Sequence, residues 1–165
     1  MDNIYSTPKS QVIEIDKSTV PFERFSTWYV VGLSIITLSL YVPYWLYTRT
    51  KQLNGVVENT ISEAFVNSVL GFYILSFAMV IPVSMYEGNT EIELLSSIVD
   101  LVANILILVW VYKFRNRLVD EIFKNRYSLG NIITFFFQIY YLQYKINEYI
   151  DESEDHLTST VEGQS

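Results

Sequence analysis

Ser97, Asp100 and Asn104 are the side chains whose types and spacing could do chemistry in this chain. They sit in residues 94–112, LLSSIVDLVANILILVWVY, where Asp100 is the one charge. Intervals of three and four put all three on one helical face. A carboxylate within a membrane span is a functional candidate by default. Such a face could line an ion or proton path, or make a buried helix contact. Asp100 follows the start of the run by six residues, about 9 Å of rise at 1.5 Å per residue. Helical side chains lean towards the N-terminal end, so the carboxylate can also snorkel to water there. Packing or snorkelling is the expected role, and conduction the alternative.

The rest of the sequence gives catalysis little foothold. With no cysteine, thiol chemistry, disulfides and cysteine-ligated metals are excluded together. The single histidine, His156, lies in an acidic tail without a second imidazole. No glycine-rich phosphate loop, nucleophile elbow or paired-histidine zinc motif occurs. The expectation is a protein that is not an enzyme, with no cofactor and no metal site. A net charge of -7 argues against nucleic acid, which needs a basic footprint.

A polar face of this kind must be carried across a bilayer by a helix, which needs about 20 mostly apolar residues. Residues 94–112 satisfy that, and the 165-residue chain is 50% hydrophobic and 16% aromatic. Residues 64–86, AFVNSVLGFYILSFAMVIPVSMY, form a second span without a charge. Within it Asn67, Gly71 and Ala78 recur at helical spacing, as a packing face against another helix would. Pro82 falls in its last turn, where neighbouring groups absorb the broken hydrogen bond. The connector 87–93, EGNTEIE, is acidic, whereas KFRNRLVDEIFKNR after the polar-faced span is basic. Cytoplasmic loops carry the Lys/Arg excess, so the acidic turn faces outside and the basic segment the cytoplasm. Lys113, Arg115 and Arg117 could also hold anionic lipid headgroups, each contributing about 1 kcal/mol. Arg117 with Glu121, and Asp120 with Lys124, read as solvated ion pairs at helical spacing.

Two aromatic-rich segments flank this pair. Residues 27–47 place Trp28 and Tyr29 at one end and Tyr44, Trp45 and Tyr47 at the other, as interfacial anchors sit. Pro43 would kink a spanning helix here or start a second short one. Residues 132–142 are too short an apolar run to span with certainty of depth. The two segments resemble each other: Tyr29-x-x-Gly32, Ile35-Ile36-Thr37 and Tyr44-Trp45-Leu46 against Tyr127-x-x-Gly130, Ile132-Ile133-Thr134 and Tyr140-Tyr141-Leu142. As spans they would form an inverted pair; as re-entrant segments both would dip from the cytoplasmic side. Residues 1–26 read as a polar arm, with a short strand or helix possible at Val12 to Ile15. Residues 148–165 read as an acidic, disordered tail.

Residues 37–54, TLSLYVPYWLYTRTKQLN, resemble the signature of a family of small microbial membrane proteins, domain of unknown function 4234. Thr37, Leu38, Tyr41, Tyr44, Trp45, Leu53 and Asn54 match its pattern. Ser39 stands in place of the family's glycine and Leu40 in place of isoleucine. The later YLQYKIN, residues 141–147, is similar to the family's closing segment. The resemblance implies a multi-pass membrane protein of unknown activity and supplies no catalytic residues.

The resulting expectation is an all-α integral membrane helical bundle. It has two transmembrane helices plus two aromatic-rich hydrophobic segments, spanning or re-entrant, in a membrane domain over residues 27–147. Its expected location is the cell membrane, multi-pass, in a microbe. Its expected function is non-enzymatic, through helix packing with itself (a homo-oligomer) or a membrane partner within the lipid bilayer. The alternative is a small oligomeric channel or transporter using Ser97, Asp100 and Asn104.

Overall fold

A computed structural model of the chain describes residues 21–124 and 128–162, with side chains as far as residue 154. The possible element at Val12 to Ile15, and His156 as a side chain, lie outside that description. All regular structure among the described residues is helical. The helices are α1 (Thr27–Ile36), α2 (Tyr41–Asn54), α3 (Glu63–Ala78), α4 (Val80–Met85), α5 (Thr90–Arg117) and α6 (Asn131–Glu162). A π-helical turn, Leu118–Ile122, extends α5. The all-α class is as the sequence reads.

Two helical runs are long and apolar enough to cross a bilayer, Glu63–Met85 and Thr90–Ile122. At 23 and 33 residues, they rise about 35 and about 50 Å, against a hydrocarbon core of about 30 Å. Asn89 starts the second run. Its side chain accepts from the Glu91 and Ile92 backbone N–H groups at 3.0 and 3.3 Å, closing two orphan donors. Glu91 and Glu93 in the first turn and Arg115 and Arg117 in the last complement the helix dipole. Val66 and Val69 of α3 and Val99, Ala103 and Ile107 of α5 are buried where these helices pack. The outward faces are apolar too. Only 11% and 22% of the two apolar windows are buried, and Ile74, Phe77, Ile81, Leu94, Leu101 and Ile105 stand exposed. A core helix of a water-soluble protein would cover such residues. Such a surface suits lipid rather than water, and both runs have the length and apolarity to span a bilayer.

The flanking segments are helical hairpins. α1 has 10 residues, about 15 Å of rise, half of a hydrocarbon core. The chain then reverses at Leu38 and Ser39, with φ of 50° and 71°. Thr37 joins the two arms. Its hydroxyl donates to Leu33 O at 2.7 Å and accepts the Tyr41 N–H at 2.9 Å, capping α2. Pro43 lies in the first turn of α2, where a missing N–H costs nothing. Tyr73 of α3 donates its hydroxyl to Ser39 O at 2.9 Å, fixing the hairpin tip against the middle of the first span. α6 breaks likewise at Gln138 (φ 38°, ψ -119°). The Gly130 N–H reaches the Tyr141 hydroxyl at 3.3 Å, so the chain folds back after the break.

The equivalent residues do equivalent work. Thr134, like Thr37, donates to the carbonyl four residues back, at 2.8 Å. Leu46 and Leu142 are both buried, while Ile35, Ile36, Ile132 and Ile133 are all exposed. The reversal comes later after threonine in the second hairpin, which is where the two patterns part.

Ser39→Gly restores a residue that reaches a positive φ without a Cβ penalty, and is expected to stabilise the protein by about 1 kcal/mol. A thermal unfolding midpoint that falls in the variant would show that the serine hydroxyl is needed there.

The acidic residues from 148 onward continue α6 to Glu162 rather than beginning a disordered tail. Tyr149, Ile150 and Ser153 are buried, and Asp151 takes Arg24 as partner, so this stretch has apolar and ionic anchors. Asn67, Gly71 and Ala78 are all exposed, so among the described residues this stripe is not buried against a neighbouring helix.

Candidate functional site

The three polar residues of α5 fall into different environments. Asp100 is half-buried and accepts a hydrogen bond from the Ser76 hydroxyl of α3, linking the two spans. Ser97 and Asn104 are exposed. The Ser97 hydroxyl donates to Glu93 O at 2.9 Å, and the Asn104 amide N–H donates to Asp100 O at 2.7 Å. Both therefore bond back to their own helix. The Asn104 side-chain carbonyl has no partner among the described residues; it lies about 21 Å along from Thr90 at 1.5 Å per residue. One face carries all three, as spacing requires, but only Asp100 turns inward.

A second constellation, absent from the sequence reading, ties the molecule together at its basic end. Gln143 of α6 is completely buried. Its Oε1 accepts from Trp45 Nε1 at 3.0 Å and Arg49 Nη2 at 3.1 Å. Its Nε2 donates to Phe25 O and Asn147 Oδ1, each at 2.9 Å. Asn147 Nδ2 also donates to Phe25 O at 2.9 Å. Arg49, only 6% exposed, donates further to Gln52 Oε1 at 2.9 Å and Glu23 O at 3.3 Å, and stacks over Phe22. Trp110 Nε1 of α5 donates to Thr50 Oγ1 at 3.0 Å, and its ring meets Trp45 edge-on at 6.1 Å. Phe114 packs on both rings. Every polar group of the amide is satisfied, so the cluster rigidifies rather than waits for a ligand. One signal was available: Gln143 is the lone amide flanked by apolar and aromatic residues in YLQYK.

The basic residues are mostly engaged. Arg117 donates to the Asn59 carbonyl and, at 3.1 Å, to its side chain. Glu121 accepts the Glu58 N–H at 2.6 Å. The two clamp the loop before α3 instead of pairing with each other, because that loop offers backbone groups otherwise unsatisfied. Arg115 donates to Leu129 O and to Asn116 at 2.9 Å, while its Nε is buried without a partner. Lys113 lies over the Phe65 ring, 5.5 Å from its centre. At the same end Arg24 and Asp151 pair at 2.5 and 3.0 Å, and hydrogen bonding from Arg24 holds the Asp151 carboxyl below its ordinary value.

A family model described as a domain of unknown function, DUF4234, matches residues 25–120. The chain belongs to that family. The DUF4234 match takes in α1 through α5, and leaves YLQYKIN outside it. No curated protein and no solved structure matches the chain. The residues that carried the resemblance have structural work. Thr37 caps and Leu53 is fully buried, while Trp45, expected as an interfacial anchor, is instead buried in the core where its indole N–H donates to the Gln143 amide. Asn54 makes a reciprocal pair with the Ile61 backbone, 2.8 Å each way, closing the loop into α3. The Tyr41 and Tyr44 rings meet at a tilt with centres 5.7 Å apart, and Tyr44 is exposed.

Proposed function

We propose that this DUF4234 protein is a multi-pass protein of the microbial cell membrane that acts without catalysis, by packing the outer face of α5 against a second membrane helix. That helix comes from another copy or from a membrane partner. The observation that carries the reading is the exposed, unpartnered Asn104 carbonyl on a lipid-facing helix. An amide there gains by accepting a hydrogen bond from a neighbouring helix. Asp100 already spends one oxygen on Ser76, which favours a fastening role over a conducting one.

The proposed topology has two spans and two re-entrant hairpins entering from the cytoplasmic side. It is supported by the gathering of residues 21–26, the 55–62 loop and α6 at the basic end, through Arg49–Glu23, Arg117–Asn59 and Arg24–Asp151 contacts. Positive residues stay in the cytoplasm, and the acidic turn at Glu87 faces outside. Lys113, Arg115 and Arg117 keep their charge at that surface and attract anionic lipid, even with hydrogen bonds spent internally.

Self-association in lipid bilayers, read by energy transfer between labelled copies, tests the proposal. Two polar contacts at about 0.6 kcal/mol each predict that Ser97→Ala with Asn104→Leu weakens association about eightfold. Unchanged association of this variant, with copies or with a co-purifying membrane protein, would sink it. The second reading, a channel or transporter, is favoured by the half-buried Asp100 carboxylate. It predicts ion flux in proteoliposomes that Asp100→Asn abolishes while assembly stays intact.

A further inference from the structure

We infer that a cavity between α2 and α3 is a binding site for an aminophospholipid headgroup, with its phosphate at Lys51 and its ammonium at Glu63. The inference rests on the membrane placement of the chain and not on the helix-packing reading.

The cavity measures about 420 Å³ and opens at the basic end of the first span, within the range of about 300–1,000 Å³ common for small-ligand sites. Its floor is already satisfied. Thr50 donates to Leu46 O and accepts from Trp110, while Asn54 is committed to Ile61. Its rim is not. Tyr47 and Lys51 lie one turn apart on α2, and Glu63 and Asn67 one turn apart on α3. None of these four side chains has a hydrogen-bond or ion-pair partner among the described residues. Lys51 and Glu63 line the same cavity yet form no ion pair with each other. A ligand carrying an anion and a primary ammonium on one short linker satisfies both walls at once. Asn67 and the Tyr47 hydroxyl add neutral donors for phosphate oxygens, at the depth where interfacial aromatics sit.

The place of the acyl chains follows from the next turns of α3. Gly71 stands one turn deeper than Asn67, and a Cβ added there would meet nothing within 4 Å. Ile74 and Ala78 continue an exposed apolar surface beyond it. This exposed stripe is thus a shallow track leading from the headgroup cavity into the hydrocarbon.

The test uses the full chain in nanodiscs and counts retained lipid by native mass spectrometry. Lipids compared are phosphatidylethanolamine, phosphatidylcholine, whose quaternary ammonium cannot donate, and phosphatidylglycerol, which has no ammonium. The expected result is one retained phosphatidylethanolamine, preferred about tenfold over both others, the worth of one charge-assisted hydrogen bond. Glu63→Gln should erase the preference, and Lys51→Gln should lower retention of all three lipids. Both side chains are exposed, so neither change removes a packed group. As an independent measure, Gly71→Leu should block the track and reduce retention with the headgroup residues intact. Soluble phosphoethanolamine should compete only weakly. Displacement by inorganic phosphate alone would mark a free-anion site and overturn the lipid assignment. Equal retention of the three lipids, or a preference unchanged in Glu63→Gln, would overturn it as well.

Discussion

Gln143→Leu is expected to destabilise the protein by about 3 kcal/mol or more, read as a lowered unfolding midpoint in detergent. The amide serves four partners at once, two donors and two acceptors. Leucine would leave Trp45 Nε1 without an acceptor and take one from the buried Arg49 guanidinium. Each stranded donor costs about 1–3 kcal/mol, more where it is charged. Asn147 would keep Phe25 O occupied, so the N-terminal approach to α1 would loosen rather than detach. A double substitution sharpens the test. Removing both partners of a buried polar pair costs less than stranding one. Arg49→Met combined with Gln143→Leu should therefore be less destabilising than the sum of the single changes, by about 1–3 kcal/mol. Simple additivity would mean that the two side chains do not work as a unit.

Trp45→Ala should cost about 3–5 kcal/mol, the usual range for deleting a buried large aromatic. Trp45 is 1% exposed and touches Trp110 and Phe114 of α5, so the cavity would open between the first hairpin and the second span. Trp45→Phe isolates the hydrogen bond. It keeps most of the ring packing and loses only the donor to Gln143, so about 1 kcal/mol is expected. If the phenylalanine variant were as damaged as the alanine one, the indole N–H rather than ring packing would dominate.

The two spans were legible because a bilayer imposes a length and an apolar surface that few other environments require. Their ends were less so: residues 87–93 read as a connector, whereas Asn89 caps α5 and the helix already begins at Thr90. The hairpins were half legible. Pro43 and the threonine-centred similarity allowed paired short helices as one alternative to kinked spans. The reversal itself uses Leu38, Ser39 and Gln138 at positive φ, where sequence gives no glycine to mark it. Asp151 read as part of a solvated tail because its partner, Arg24, is remote in sequence. The Gln143 cluster was hidden for the same reason, since it joins positions separated by 94 to 118 residues. The polar face of α5 was found by spacing alone. Spacing could not tell which of its members turns inward, because Ser76 sits on another helix.

Aqueous accessibility of single cysteines tests the hairpin topology most directly, in a chain whose described residues include no cysteine of their own. Cysteine replaces Glu23 and Glu58 around the first hairpin, Ser128 and Glu152 around the second, and Glu87 in the acidic turn; all five positions are exposed. A membrane-impermeant reagent applied to intact cells should label position 87 alone, and the other four only after permeabilisation. Labelling of 23 and 58 from opposite sides, or of 128 and 152 from opposite sides, would turn that hairpin into a span and contradict the account.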